Sequence, residues 1–276
     1  MTSLASSEWY ERLSVARQAV ESAGSALLRL PRGVRAEEKG DQLKTAADLA
    51  AEAWVIGYLK AYFADDRLLA EEDFEARATE WDAPRSYWTI DALDGTRSFT
   101  GGFAGFCVQV AYVVDGAVRL GVVHEPALDQ TYFAARGGGA YRQKRGEEPV
   151  RLGASDWTAS PRFVDSTRPS GVPGEWFRQN TAAFVELGSI GLKICRVADG
   201  RADIFFKRLG FKLWDVAPGG LILEEAGGRL GLWDGSTIPF DSREVRFKDI
   251  LATHADCFDR VVREVADIRV RLGGSP

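Results

Sequence analysis

Histidine, cysteine and methionine are scarce in this chain of 276 residues: two, three and one. With His124 and His254 alone, and Cys107, Cys195 and Cys257 far apart, the residues argue against a zinc cage. Three scattered cysteines do not make a disulfide framework. Each sits in an apolar segment and reads as a small buried hydrophobe. No apolar run approaches the ~20 residues of a membrane span. The start "MTSLASSEWYERL" lacks the basic opening and apolar centre of a signal peptide. A cytoplasmic location is therefore expected, without membrane partners. There is no basic excess either: 35 Lys and Arg stand against 40 Asp and Glu, a net charge of -5. That balance argues against a nucleic acid polymer, which needs a basic face. A small anionic partner stays open, because metal ions can supply positive charge.

Aromatic residues are plentiful, with eight Trp and fifteen Phe, so core material is ample. The length allows one large domain or two closely packed ones. Leu13, Ala16, Val20, Ala23 and Leu27 recur at three- and four-residue intervals, which predicts an amphipathic helix from about Ser7 to Leu30. A second helix is expected from Ala46 to about Phe63, entered through Thr45. "DDRLLAEED" runs from a polar turn into a short strand that stops on acids. "FCVQVAYVVDGAVRLGVVHEP" holds two β-branched runs joined at Asp115-Gly116, a strong hairpin signal. A helix from Trp214 to Ala226 should stop at Gly227-Gly228, and "DILATHADCFDRVVREVADI" reads as strand then helix. Helices flank an antiparallel group of strands, which predicts layered α and β elements. The segment 155–181, with three prolines and little periodicity, is the candidate boundary between halves 1–154 and 155–276.

Acids stand at conspicuous places. Glu71 and Glu72 end the run "RLLA", Asp91 ends "SYWTI", and Asp94 follows in "LDGT". Asp215 starts the helix after Trp214, and Asp48 lies in "KTAAD". Each alone has an ordinary reading: a first-turn acid at a helix dipole, a turn, a solvated face. Together they suggest strand ends converging at one sheet edge. Close carboxylates repel one another, and a hard divalent cation with oxygen ligands relieves that repulsion. No cationic residue in these motifs is expected to replace the metal. Two such ions suit attack of water on a phosphate ester. "DGTRS" adds Gly95 for close backbone approach and Thr96 for a turn whose free N–H groups can hold phosphate.

"AEED" at 70–73, "IDALDGTRSF" at 90–99 and "WDVAPGGLILEEAGG" at 214–228 resemble the inositol monophosphatase superfamily of metal-dependent phosphomonoesterases. "KTAAD", "GVVHEPALDQTYFAARGGGAY" and "ILATH" match as well. The resemblance implies an α/β (α+β) layered sandwich of alternating helix and sheet layers, with the site between two halves. It implies magnesium held by Glu71, Asp91 and the Leu93 carbonyl, and a second ion held by Asp91, Asp94 and Asp215. A third, looser ion would involve Glu71 through water. Glu71 and Thr96 would orient the attacking water, with Asp48 acting through the Thr96 hydroxyl. The N–H groups of Gly95 and Thr96 would receive the phosphate. A homodimer is expected on the same ground.

The chain departs from the family pattern at Ala92, which replaces a proline. The loop around Gly191 is shorter where it meets the substrate, and Arg208 stands where an acid reads an inositol hydroxyl. An arginine suits a second anionic group, or a solvated surface position. "EED", "DGTRSF" and "LKICRVADGRAD" are similar to the branch acting on 3′-phosphoadenosine 5′-phosphate, with Arg208 or Lys207 as reader of the second phosphate. Inositol monophosphate, histidinol phosphate and other sugar phosphates are the alternatives. A catalytically silent regulator that binds a phosphorylated metabolite is the rival of another class.

Overall fold

Leu13, Ala16, Val20, Ala23 and Leu27 line the buried face of α1 (Ser7–Leu27). The computed structural model describes residues 7–30, 37–39, 42–77, 81–154, 157, 160–180, 182–208 and 210–273. After the hairpin β1 (Glu37–Lys39) and β2 (Gln42–Lys44), Thr45 caps α2 (Ala46–Tyr62). Its hydroxyl accepts from the amides of Ala47 and Asp48, and Asp48 closes the box on the Thr45 amide. This is the helix start that the sequence predicts.

A seven-stranded sheet follows, in the spatial order β3 (Arg67–Ala70), β4 (Ser86–Asp94), β5 (Cys107–Val114), β6 (Ala117–Glu125), β7 (Gln130–Ala135), β8 (Ala140–Lys144), β9 (Val150–Arg151). Strand β3 runs parallel to β4, and the rest are antiparallel. The expected hairpin at Asp115-Gly116 joins β5 and β6. Both residues have positive φ, 51° and 70°, which the twist of a two-residue hairpin turn demands. Short helices α3 (Glu71–Arg77) and α4 (Thr96–Thr100) leave the ends of β3 and β4.

The second sheet has the order β11 (Ala183–Glu186), β10 (Arg162–Asp165), β12 (Ile204–Lys207), β16 (Ile250–His254), β14 (Gly228–Leu232). A two-stranded pair, β13 (Phe211–Lys212) and β15 (Arg246–Phe247), lies outside it. Helices α5 (Gly171–Gln179), α6 (Ile190–Ala198), α7 (Leu213–Glu225) and α8 (Ala255–Arg271) complete the chain. The proline-bearing segment 155–181, the candidate boundary, carries β10 and α5. Pro173 stands in the first turn of α5, where no intrahelical donor is needed.

Side-chain alternation sorts the layers. Trp88, Ile90, Val108 and Val110 on one face of the first sheet pack against α1 and α2. Tyr87, Ala111, Val123 and Tyr132 on the other face meet α6 and α7. Phe205 and Ala252 of the second sheet join that same cluster, while Ile204, Phe206 and Leu251 turn away toward α5 and α8. The order is thus helix, sheet, helix, sheet, helix, the alternating sandwich that the sequence implied.

Candidate active site

Because β3 and β4 are parallel, their C-terminal ends open at the same sheet edge. Ala70 is in register with Ile90, so Glu71 and Asp91 follow side by side, Asp91 still paired with Gln109 of β5. Glu71 begins α3, whose first amides are held from α2. The Glu52 carboxylate accepts from the N–H of Glu72 at 2.8 Å and of Asp73 at 3.1 Å.

A regular strand would point Asp91 and Asp94 to opposite faces. The register of β4 against β5 slips between them, however, and an irregularity of this kind re-aims side chains. Both now face Gln109 of β5, whose Nε2 lies 3.4 Å from Asp91 Oδ2, from Asp94 Oδ2 and from the Asp215 carbonyl. Asp94 Oδ2 also accepts from Ser189 Oγ at 2.6 Å and from the Gly191 N–H at 2.8 Å, at the start of α6. A Cβ on Gly191 would come within 2.2 Å of Gln109 Oε1, so this approach requires glycine. Gly95 has φ 94°, and a Cβ there would meet the Gly105 carbonyl at 2.8 Å.

Asp215 is the third residue of α7, not its opening one. Its Oδ2 accepts the Lys212 N–H at 2.7 Å, and this cap starts the helix at Leu213. Thr96 Oγ1 lies 3.0 Å from Asp48 Oδ1 and 3.2 Å from the Leu93 carbonyl, so its proton is committed to one of them. Asp48 Oδ2 is held by the Thr45 amide and hydroxyl at 2.8 and 2.5 Å.

Burial, then the charges of Glu71, Asp94 and Asp215, pushes the Asp91 carboxyl well above its ordinary range. Burial, then Glu71 and Asp94, does the same to Asp215. Burial also raises Asp94, opposed by Ser189, Gly191 and Lys193. The structure corrects one expectation. A cation does sit at this cluster: Lys212, 4% exposed, places Nζ 2.8 Å from Glu71 Oε1. Its position in β13, next to the α7 cap, aims it there, which sequence spacing does not show.

As they stand, no three His, Cys, Asp or Glu side chains among the described residues are gathered closely enough to hold an ion. The donor chemistry nevertheless fits a hard divalent cation. Every candidate ligand is a carboxylate or carbonyl oxygen, and mutual repulsion is what a cation would relieve.

Arg208 is not brought to these acids. Its side chain is 76% exposed, with Nε 3.9 Å from Asp249 Oδ1. Lys207 instead turns to Asp165, at 3.0 Å, and buried Lys193 reaches the same carboxylate oxygen at 3.0 Å. Burial raises Asp165, but the two ammonium groups outweigh it and hold the carboxyl below its ordinary range. Lys193 also acts on Asp94, so its ammonium adjoins the carboxylate cluster. Sequence reading missed Gln109, Ser189, Lys193 and Lys212. Gln109 alone had a signal, as the polar residue inside the apolar run "FCVQVAYVV".

The inositol monophosphatase family model matches residues 8–267. A fructose-1,6-bisphosphatase/inositol-1-monophosphatase of Thermotoga maritima is 32% identical over 234 residues, 83% of this chain and 85% of that one. The 3′(2′),5′-bisphosphate nucleotidase CysQ of Salmonella typhimurium is 33% identical over 241 residues, 82% of this chain and 93% of its own. The solved Thermotoga maritima IMPase superposes with a TM-score of 0.80 at 27% identity, covering 95% of this chain and all of that one. The chain therefore belongs to the inositol monophosphatase family of metal-dependent phosphomonoesterases.

Proposed function

We propose that this phosphatase uses magnesium, two or three ions per site, to hydrolyse a small phosphorylated metabolite in the cytoplasm. The observation that carries the reading is Gln109 facing Asp91, Asp94 and the Asp215 backbone at once, which joins acids from β4 and α7. Glu71, Asp91, the Leu93 carbonyl, Asp94 and Asp215 would hold the ions. Bound magnesium supplies positive charge to the phosphate and acidifies water. The chain's own groups do the positioning. With its proton given to Asp48 or Leu93, the Thr96 hydroxyl turns a lone pair outward to accept from an attacking water. Glu71 orients the same water. The amides of Gly95 and Thr96 receive the phosphate. Residues 1–154 carry most of these groups, and 155–276 close the site through Asp215 and Gly191.

The substrate we favour bears a second anionic group, as 3′-phosphoadenosine 5′-phosphate does. Lys207 and Lys193 share one carboxylate, leaving cationic charge beside the acids. The similarity to CysQ supports the same choice. Inositol monophosphate, fructose bisphosphate and histidinol phosphate are the alternatives. The protein acts as a homodimer. Phosphate release from this panel, with and without magnesium, tests the reading. Turnover unchanged in excess chelator would refute the metal, and binding without turnover would favour a silent regulator.

A further inference from the structure

Strand β5 contains one amide side chain, Gln109, and buries it completely. The residue stands opposite Asp91 in the register of β4 and β5. Its Nε2 carries two protons and faces three oxygens, Asp91 Oδ2, Asp94 Oδ2 and the Asp215 carbonyl, each at 3.4 Å. One nitrogen shared among three acceptors makes long contacts with all of them. Turning the amide over would set Oε1 against the same oxygens, so the partners fix its orientation.

The other end of the amide is the second observation. Gln109 Oε1 is buried and accepts no hydrogen bond from the described residues. It lies against the start of α6, where a Cβ on Gly191 would come within 2.2 Å of it. A buried carbonyl oxygen without a donor costs stability. Met is similar in length and shape and has no such group to satisfy, so packing does not explain a glutamine here. Its donors do. An amide also donates twice without adding charge. Lys or Arg would set a fixed cation among the acids, and Glu a further repelling carboxylate.

The bonding around the acids gives those donors a task. Among the described residues, Gln109 is the one side chain that hydrogen-bonds Asp91; the Leu93 N–H, at 3.1 Å, falls on the other carboxylate oxygen. On Asp94 the bonds from Gln109, Ser189 and Gly191 all fall on Oδ2, so Oδ1 is the oxygen left to face an ion.

We propose that Gln109 is a positioning residue: its amide nitrogen holds Asp91 and Asp94 at a fixed spacing and so prepares them to bind one divalent cation together. The role rests on the metal reading above and is exercised through the ligands. A hydrogen bond to a ligating carboxylate restricts how that group can turn, so less freedom is lost when an ion binds.

Magnesium binding to the metal-free full chain, measured by titration calorimetry, tests this. Gln109→Met should weaken binding by about 10–100-fold, the usual cost of losing a hydrogen-bond partner of a ligand. Gln109→Asn keeps both N–H protons on a shorter arm and should lose only about a few-fold. Thermal melts in chelator show whether each variant is folded. Unchanged affinity in a folded Gln109→Met overturns the proposal and leaves Gln109 a packing residue. Gln109→Asn binding as weakly as Gln109→Met also overturns it, because side-chain size and not the donors would then decide. If Gln109→Met gives no cooperative melt, Gln109→Asn decides alone, and wild-type affinity there overturns the proposal. A wild type that binds no magnesium overturns the metal reading and this role with it, whereas the variant results bear on Gln109 only.

Discussion

Lys212 Nζ lies 2.8 Å from Glu71 Oε1, joining the segment before α7 to the first residue of α3. A buried ammonium on a candidate metal ligand makes the side chain a competitor for the ion. Lys212→Met should therefore raise magnesium affinity several-fold to about tenfold, the size of a charge interaction of about 1 kcal/mol. The same change should lower the melting temperature of the chelator-treated protein, because Glu71 loses its partner. Titration calorimetry and thermal melts check the pair of effects; unchanged affinity would exclude competition.

Asp91 and Asp215 bind protons more tightly in the folded chain, since burial and neighbouring acids raise both above the ordinary 3.8. The metal-free fold then holds more protons than the unfolded chain from that pH upward. Its stability falls as pH rises toward the raised folded values, by about 1.4 kcal/mol per pKa unit. Asp165, held low, has the opposite sign, but its contribution is gained near its ordinary value and is level above that. In urea denaturation with chelator the fall is opposed by His124, which burial lowers from 6.5 to about 4, so that it adds stability as pH rises between those values. Magnesium should therefore stabilise the protein by an increment that grows as pH rises from the ordinary carboxylate range, and an increment that stays level would contradict the prediction.

Asp94→Asn should cut turnover by on the order of 100-fold or more, the scale of losing one preorganised charged group. Metal-free stability should hold or increase. Asn can still accept from Ser189 and Gly191, and one of the repelling charges is gone. Steady-state kinetics at saturating magnesium, beside urea melts, separates the two effects.

Thr96→Val should lower kcat by roughly 10–100-fold, the usual cost of a lost orienting partner. Thr96→Ser should restore most of it, because the hydroxyl can again reach Asp48 and Leu93. Equal loss in both variants would count against the hydroxyl.

Lys207→Ala should depress the specificity constant for a bisphosphate relative to inositol monophosphate by about tenfold to a few hundredfold. Arg208→Ala should leave that ratio unchanged, since its guanidinium lies in solvent near Asp249. Measuring both substrates on each variant assigns the reader of the second anionic group.

Much of this was legible in the sequence. The spacing of Leu13 to Leu27, the capping of α2 by Thr45 and the turn at Asp115-Gly116 are local patterns, set by side-chain period and backbone sterics. The order of acids and the "DGTRS" turn marked the candidate site, because residues of ligand type and glycine sit in short motifs. What lies between distant segments was not legible. The pairing of β3 with β4 aligns Glu71 with Asp91, and the slip in β4 turns Asp91 and Asp94 toward Gln109. The α7 cap carries Lys212 onto Glu71 across 141 residues of chain. Arg208 and Lys207 are neighbours whose local sequence treats them alike, yet packing sends one to solvent and the other to Asp165. Periodicity and motif act over a few residues and are written in the chain itself; which charges meet depends on strand register and layer packing, which exist only once the whole chain has folded.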